Sequence, residues 1–152
     1  MSTDEFHLAY ISTLAPGCDH TVFSAVCRTS RARNAERGIA GVLLFDGQRF
    51  CQWLYGPKHS VTKLMSEIAL DERHTDLSMR LETMLPALHF EPHWHAGFVD
   101  AEALDAFAAI DSGSDDAVIE GLAKMISQAD LEPPLLVIAL HATRSKRAPD
   151  GA

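Results

Sequence analysis

The 152-residue sequence has few cysteines, few aromatic residues and no long hydrophobic run. Its longest strictly apolar run, Leu135 to Leu140, is much shorter than the roughly 20 residues that span a bilayer. Acidic residues, Asp4 and Glu5, stand where a signal peptide would be basic, so we expect a cytoplasmic protein with no membrane association. The three cysteines, at positions 18, 27 and 51, fit no zinc or disulfide spacing and are predicted to be reduced.

Basic residues are also scarce relative to acidic ones. Thirteen Lys and Arg against 21 Asp and Glu give a formal net charge of −8, which argues against direct binding of nucleic acid. A chain of this length with 47% hydrophobic residues is large enough for one core and leaves little room for a second.

The hydrophobic period switches between two and 3.6 along the chain. Period-two stretches predict strands at Phe6 to Thr13, Ile39 to Phe45, Arg49 to Leu54, Leu77 to Leu85 and Trp94 to Val99. Helical spacing predicts one helix from about His20 to Asn34, with Asp19 or Thr21 as N-cap, and a second helix capped by Ser60. The resulting order, βαββαββ, predicts an α+β ferredoxin-like sheet with two helices on one face.

The remainder is predicted to be a C-terminal helical extension over residues 100–141, after a first domain over 1–99 and before a disordered tail over 142–152. Ala101 to Ile110 is predicted to be helical, and Ser114 begins a further amphipathic helix that reaches Ala129. The apolar stripes of these helices either cover the free face of the sheet or form an oligomer interface. Leu135 to Leu140 is either a strand or a docking segment.

Three polar residues stand in apolar surroundings. Period two places Gln52 on the same side of its strand as Phe50 and Leu54, and Tyr10 has the equivalent place on the first strand. Asn34 closes the first helix before the break at Gly38. These side chains could face one cavity between the sheet and the helices, or they could be a core tyrosine, an edge-strand amide and a helix cap.

Several motifs together resemble those of the BLUF family of flavin-dependent blue-light sensors, in its short single-domain form. They are L-A-Y-I-S around Tyr10, S-R-A-R-N-A-E-R-G-I-A-G around Asn34, and F-C-Q-W-L-Y-G-P around Gln52. D-E-R-H at Asp71 to His74 and W-H-A-G-F at Trp94 to Phe98 are two further landmarks. The match covers about residues 6 to 99, and its combination of motifs is specific although each piece alone is weak.

The resemblance implies a non-covalent flavin, usually FAD with FMN as the alternative, held between the two helices. Its ring would lie between Val26 and Ile68, Asn34 would hydrogen-bond its polar edge, and Gln52 would lie between Tyr10 and the flavin. Arg33 or Arg73 would approach the cofactor phosphate. The implied flavin-binding residues are Tyr10, Val26, Ser30, Arg33, Asn34, Gln52, Ile68, Asp71 and Arg73.

The resemblance also implies photochemistry without enzymatic turnover. Blue light would move an electron and a proton from Tyr10 to the flavin, and Gln52 would be left rearranged. Trp94, His95 and Ala96 would carry the signal out of the site. A downstream partner protein would then bind through the C-terminal helices, and we expect a homo-oligomer.

Two other hypotheses remain open at this point. Arg33, Glu67 and Ala96 depart from the family pattern, which leaves the alternative of a BLUF-like domain that has lost flavin and acts as a light-independent interaction module. Glu91, His93 and His95 alternate along one segment, with His89 one step further, and could hold a metal ion. Pro92 and the absence of supporting residues favour an exposed strand instead, so we expect no metal site.

Overall fold

A computed structural model describes residues 4–86 and 94–132 of the chain. Its elements are β1 (Asp4–Leu14), α1 (Thr21–Glu36), β2 (Ala40–Phe45), β3 (Arg49–Gly56), α2 (Lys58–Ala69), β4 (His74–Pro86), β5 (Trp94–Phe98), α3 (Ala101–Ala108), α4 (Asp115–Ser127) and β6 (Asp130–Glu132). The predicted order of strands and helices is confirmed from β1 to β5.

The strands form one sheet in the order β4-β1-β3-β2-β5-β6. β1 lies antiparallel between β3 and β4, and β2 is antiparallel to β3 and parallel to β5. This is the predicted ferredoxin-like α+β plan with added strands at one edge. The central strands β1 and β3 are buried on both faces, and they carry Tyr10 and Gln52.

Each face of the sheet is covered by a pair of helices. On one face, α1 and α2 pack Phe23, Val61, Leu64 and Met65 against the strands. On the other face, α3 and α4 pack onto the strands through a larger apolar cluster; its helical residues are Leu104, Phe107, Val118, Ile119, Leu122, Ala123, Met125 and Ile126. The stripes of the C-terminal helices therefore cover the sheet, the first of the two arrangements expected for them.

The antiparallel strands β2 and β3 form a hairpin. The carboxylate of Asp46 accepts hydrogen bonds from the N–H groups of Gln48 and Arg49, and Gly47 adopts a φ of 101°. Such a positive φ favours glycine, because a side chain would crowd the backbone there. The turn sets the register that pairs Gln52 with Leu43.

Two predicted helix N-caps are wrong, and one is confirmed. α2 begins at Lys58, with Pro57 at its N-cap, so Ser60 lies in the first turn; the Val61 N–H donates to the Pro57 carbonyl instead. His20 occupies the N-cap of α1, while the Asp19 carboxylate accepts the N–H and hydroxyl of Thr21 from one position further out. Ser114 caps α4 as predicted, through a bond from the Ala117 N–H.

Period two over Leu77 to Leu85 predicts that the leucines and Met79 share one face of β4. This prediction is wrong for the second half of the strand. Leu77 and Met79 face α1 and α2, but Leu81 and Leu85 pack into the cluster on the opposite face. A β-bulge causes the change: Met79 pairs with Tyr10 and Leu81 with Ala9, which leaves Arg80 as an extra residue. One extra residue reverses the faces of all that follow.

The C-terminal part adds one strand that the periodicity did not indicate. α4 ends at Ser127, two residues short of Ala129, and the chain then forms β6 antiparallel to β5. Leu135 to Leu140 and the tail over 142–152 lie outside the described residues, so their predictions are untested. All three cysteines are free, as predicted. Within residues 4–86 and 94–132, no helix combines the length and apolar character needed to cross a membrane.

Candidate functional site

A pocket lies between the sheet and the helices α1 and α2. All nine residues predicted to bind the cofactor line this pocket, although they come from β1, α1, β3, α2 and the loop before β4. They are Tyr10, Val26, Ser30, Arg33, Asn34, Gln52, Ile68, Asp71 and Arg73. The floor is buried and the rim, which includes Thr29 and Arg73, is exposed. The structure therefore brings residues up to 63 positions apart (10 to 73) into one concave site.

Tyr10 and Gln52 are hydrogen-bonded at the floor of the pocket. They are cross-strand partners on β1 and β3, and the Tyr10 hydroxyl donates to Gln52 Oε1 at 2.6 Å. Their exposures are only 4% and 3%. Burial raises the pKa of Tyr10 above its usual value, so the side chain is held as a neutral phenol. The bond uses the amide oxygen of Gln52, and the amide nitrogen remains a donor for a second partner.

Asn34 lies in the last turn of α1 and is 1% exposed. Neither its Oδ1 nor its Nδ2 has a hydrogen-bond partner among the described residues. Buried amides are nearly always satisfied, so a buried amide on a pocket wall without a partner fits a ligand that offers both a donor and an acceptor. The polar edge of a flavin ring offers such a pair.

The charged residues of the pocket differ in how they are paired. Arg73 bonds to Asp71 at 2.7 Å and holds the pKa of that carboxyl below its usual range. Glu67 is paired with Arg37, outside the pocket lining, at 3.0 Å. In contrast, Arg33 Nε is buried and has no hydrogen-bond partner within the described part of the chain. Arg33 is therefore better placed than Arg73 to meet an anionic group of a ligand.

His74 is a pocket residue that sequence reasoning did not assign. Its Nδ1 lies 2.7 Å from Ser12 Oγ and its Nε2 lies 2.6 Å from the Ile68 carbonyl oxygen. The ring is in edge contact with Tyr10, at a centroid distance of 6.2 Å. His74 thus links β1 to the end of α2 beside the phenol. The D-E-R-H motif was the sequence signal that could have identified it.

The remaining lining residues were missed, or were treated only as core or as departures from a pattern. They are Val22, Thr29, Leu43, Phe50, Leu64 and Glu67. Most are apolar residues whose spacing predicts core packing, and only the tertiary arrangement makes them walls of a pocket.

The residues predicted to carry the signal, Trp94, His95 and Ala96, lie on β5 and do not line the pocket. They are buried, and Trp94 and Ala96 face the same side of the sheet as Tyr10. Gln52 pairs with Leu43, and Leu43 pairs with Ala96. One row across the sheet therefore runs from Tyr10 through Gln52 to Ala96, over four strands.

The hypothetical metal site is mostly outside the described residues. Glu91, His93 and His89 are not described, and His95 lies buried in β5. In the described ranges, His, Cys, Asp and Glu form no group of three that could hold a metal ion.

The fold and the pocket define a small ferredoxin-like α+β domain that buries a hydrogen-bonded tyrosine and glutamine beneath two helices. Residues 6–97 match the family model described as sensors of blue light using FAD. The chain therefore belongs to the BLUF family, whose domains are flavin-binding sensors rather than catalysts.

The curated relatives of this chain are much longer proteins. The chain is 30% identical over 131 residues to the photoactivated adenylate cyclase subunit beta of Euglena gracilis, covering 86% of this chain but 15% of that one. It is 36% identical over 58 residues to the blue light- and temperature-regulated antirepressor BluF of Escherichia coli K12, covering 38% of this chain and 14% of that one. This chain thus spans only a small part of both relatives.

Two solved structures resemble the domain over most of both chains. BlrB, a BLUF protein in its dark state, superposes with a TM-score of 0.60 at 25% identity, covering 84% of this chain and 98% of that one. BlsA in a photo-activated state gives a TM-score of 0.66, covering 80% of this chain and 94% of that one. At 18% identity, the likeness to BlsA is one of fold.

Proposed function

We propose that this protein is a blue-light sensor that binds flavin non-covalently in the α1/α2 pocket and uses Tyr10 and Gln52 as its photoactive pair. The observation that carries the proposal is the buried 2.6 Å hydrogen bond between these two residues, on the floor of the pocket. The amide of Asn34, on the wall of the same pocket and without a partner in residues 4–86 and 94–132, supports it.

The pocket residues suit the different parts of a flavin. Val26 and Ile68 come from opposite helices and offer apolar contacts to the two faces of a flat ring. Among the described residues, neither polar atom of the Asn34 amide has a partner, so the amide offers a donor and an acceptor to the polar edge of the ring. Arg33 is the cation for a phosphate; FMN carries one phosphate group and FAD carries two. Ser30, Asp71 and Arg73 complete the predicted contacts along the walls and rim.

Bound flavin supplies the absorption of blue light and an acceptor for an electron. Tyr10 is the donor, because a phenol is readily oxidised and can release its proton together with the electron. Since burial raises the pKa of Tyr10, the proton stays on the hydroxyl in the dark. Oxidation makes a phenol strongly acidic, and through the hydrogen bond to Gln52 Oε1 the proton would pass from Tyr10, by way of the Gln52 amide, to the same acceptor as the electron.

Gln52 is the group that stores the change. Its amide offers a carbonyl acceptor and two N–H donors, so rotation or tautomerisation rewires the hydrogen bonds without a change in net charge. Leu43 on β2 lies between Gln52 on β3 and Ala96 on β5. A rearrangement of Gln52 therefore acts on the sheet, and α3 and α4 cover the other face of that sheet. These helices would present the signal to a partner protein or to a second copy of the chain.

The visible absorption spectrum tests this function directly. We expect the full chain loaded with FAD to show a small, reversible red shift under blue light, because the bonds around the chromophore change. Gln52→Leu should bind FAD and lose the shift, whereas the control Gln48→Leu, in the exposed hairpin turn, should keep it.

Two results would contradict the proposal in different ways. FAD bound without a shift in the parent protein would mean that the pocket works and the Tyr10–Gln52 pair does not. A protein that takes up neither FAD nor FMN would support the alternative, a light-independent interaction module.

A further inference from the structure

Both ends of α3 are held by arginines that come from the sheet. At its start, Arg49 of β3 donates to the Ala101 carbonyl at 3.2 Å and pairs with Asp105 at 2.7 Å. At its end, Arg80 of β4 donates to the carbonyls of Ala108 and Ile110, the first at 3.1 Å. A cation that satisfies the last carbonyls stabilises the end of a helix.

Arg80 is also the extra residue of the β4 bulge. Its neighbours Met79 and Leu81 pair with Tyr10 and Ala9, so Arg80 itself has no partner on β1. Met79 faces the pocket side of the sheet, while the side chain of Arg80 bonds to α3 on the opposite side. Met79, the β4 partner of Tyr10, is therefore followed directly in the chain by Arg80, whose side chain bonds to the end of α3.

The guanidinium of Arg80 also lies near β3. Burial raises the pKa of Cys51 to about 12, and the charge of Arg80 opposes this rise. Cys51 precedes Gln52 in the chain, so the charge of Arg80 reaches the strand that carries the photoactive amide from the face opposite the pocket.

We propose that the β4 bulge at Arg80 is the connection through which a rearrangement of Tyr10 and Gln52 reaches α3. The proposal rests on the function proposed above. An extra residue lets one strand shift locally without breaking the rest of the sheet, and such a shift moves Arg80 relative to the carbonyls that it caps. α3 has eight residues, too few to be stable alone, so its order depends on these bonds and on packing.

Amide hydrogen exchange with mass spectrometry on the FAD-loaded full chain, in the dark and under blue light, tests this connection. In the parent protein we expect illumination to change the exchange of α3 by about fivefold or more, the size of an ordinary coupling between sites. Arg80→Met should keep the red shift and lose the light-minus-dark difference. The matched control Arg49→Met removes the other arginine; it should exchange faster at the start of α3 in both states and keep the difference.

The outcomes separate the connection from a structural role and from the photochemistry. An Arg80→Met variant with the full light-minus-dark difference would overturn the proposal, as would a parent protein that shows the red shift without any change in α3. In both cases the proposed function would survive. A parent protein with no red shift would overturn both. If Arg80→Met fails to fold, Arg80→Lys replaces it: a Lys keeps the charge with fewer donors, so we expect a reduced difference, and an undiminished one would count against the proposal.

Discussion

The three buried polar side chains Tyr10, Asn34 and Gln52 of the pocket differ in their hydrogen-bond partners. The Tyr10 hydroxyl donates to Gln52 Oε1, while the amide of Asn34 has no partner in the described part of the chain. Leaving a buried polar group unsatisfied costs about 1–3 kcal/mol. A ligand that hydrogen-bonds to both polar atoms of the Asn34 amide would remove this cost.

Asn34→Leu should change stability and affinity in opposite directions. We expect the flavin-free variant to be more stable to urea by about 1 kcal/mol, because an apolar side chain of similar size replaces an unsatisfied amide. Its affinity for FAD, measured by fluorescence titration, should fall by about tenfold with the loss of one or two hydrogen bonds. Glu36→Leu, exposed on the same helix, is the control and should leave the affinity unchanged. Equal FAD affinity in the parent and in Asn34→Leu would remove Asn34 from the site.

His7 makes the stability of the domain depend on pH. Its Nδ1 accepts the indole N–H of Trp53 at 3.1 Å, and burial lowers its pKa from 6.5 to about 3. Between pH 6.5 and about 3, His7 is therefore protonated in the unfolded chain and neutral in the folded chain. This contribution to stability is present above pH 6.5 and is lost as the pH falls toward 3.

Replacing His7 should make the free energy of unfolding depend less on pH in the acidic range. In urea unfolding between pH 4 and 7, the slope for His7→Phe should be lower than that of the parent by up to about 1.4 kcal/mol per pH unit. The variant should also be less stable near neutral pH, because Trp53 loses its acceptor. His59→Gln, which removes an exposed imidazole from α2, should keep the parent slope. An unchanged slope in His7→Phe would show that His7 is not the group responsible.

At the scale of elements, β6 packs closely against β5 at Gly97. Gly97 pairs with Leu131, and a Cβ at position 97 would lie 1.8 Å from the Asp130 backbone oxygen. No real side chain tolerates such a distance from a backbone atom, so β6 must move if position 97 gains a methyl group. Arg31 bonds to the Glu132 carbonyl at 3.3 Å, which is too little to hold β6 alone.

Gly97→Ala should detach β6 and leave the photochemistry in place. We expect the backbone amides of β6 to exchange at least about tenfold faster, while the FAD-loaded variant keeps its red shift because the pocket lies on the far side of β2. Gly113→Ala is the matched control, since its Cβ would meet only the flexible Asp111 side chain, at 3.2 Å. Loss of the red shift in Gly97→Ala would show that β6 supports the pocket.

At the scale of the whole molecule, the sheet separates two helical layers. The pocket lies under α1 and α2, and the larger apolar cluster lies under α3 and α4. Both helical layers pack against β1 and β3, so the domain is expected to unfold as one cooperative unit. A ligand bound under α1 and α2 therefore also stabilises the layer formed by α3 and α4.

FAD should therefore raise the melting temperature of the entire domain. At a free FAD concentration 100-fold above Kd, the stabilisation is about 2.7 kcal/mol, which for a chain of this size corresponds to about 5–10 °C. Circular dichroism melts at several FAD concentrations measure the effect, with riboflavin as a probe of the phosphate contribution. A melting temperature independent of FAD and FMN would favour the light-independent module.

Most of the fold and of the candidate site could be predicted from the sequence, because both depend on local patterns. Period two on β1 and β3 already placed Tyr10 and Gln52 on the inner face of one sheet. The resemblance of motifs identified the family and nine residues that line one pocket. Helix starts were less predictable: Pro57 displaced Ser60 from the N-cap of α2 because a proline at the strand-to-helix turn already sets the backbone there.

By itself the sequence determined the order of the elements, the charge, the inner faces of the central strands and the family, because these follow from side-chain periodicity and from residues close together in motifs. Only the tertiary structure decided that β4 bulges at Arg80, that β6 pairs with β5, that His74 bridges Ser12 and Ile68, and that two arginines hold α3. These features join residues far apart in the chain. Their free energy comes from contacts that exist only after the sheet has formed, so no local pattern records them.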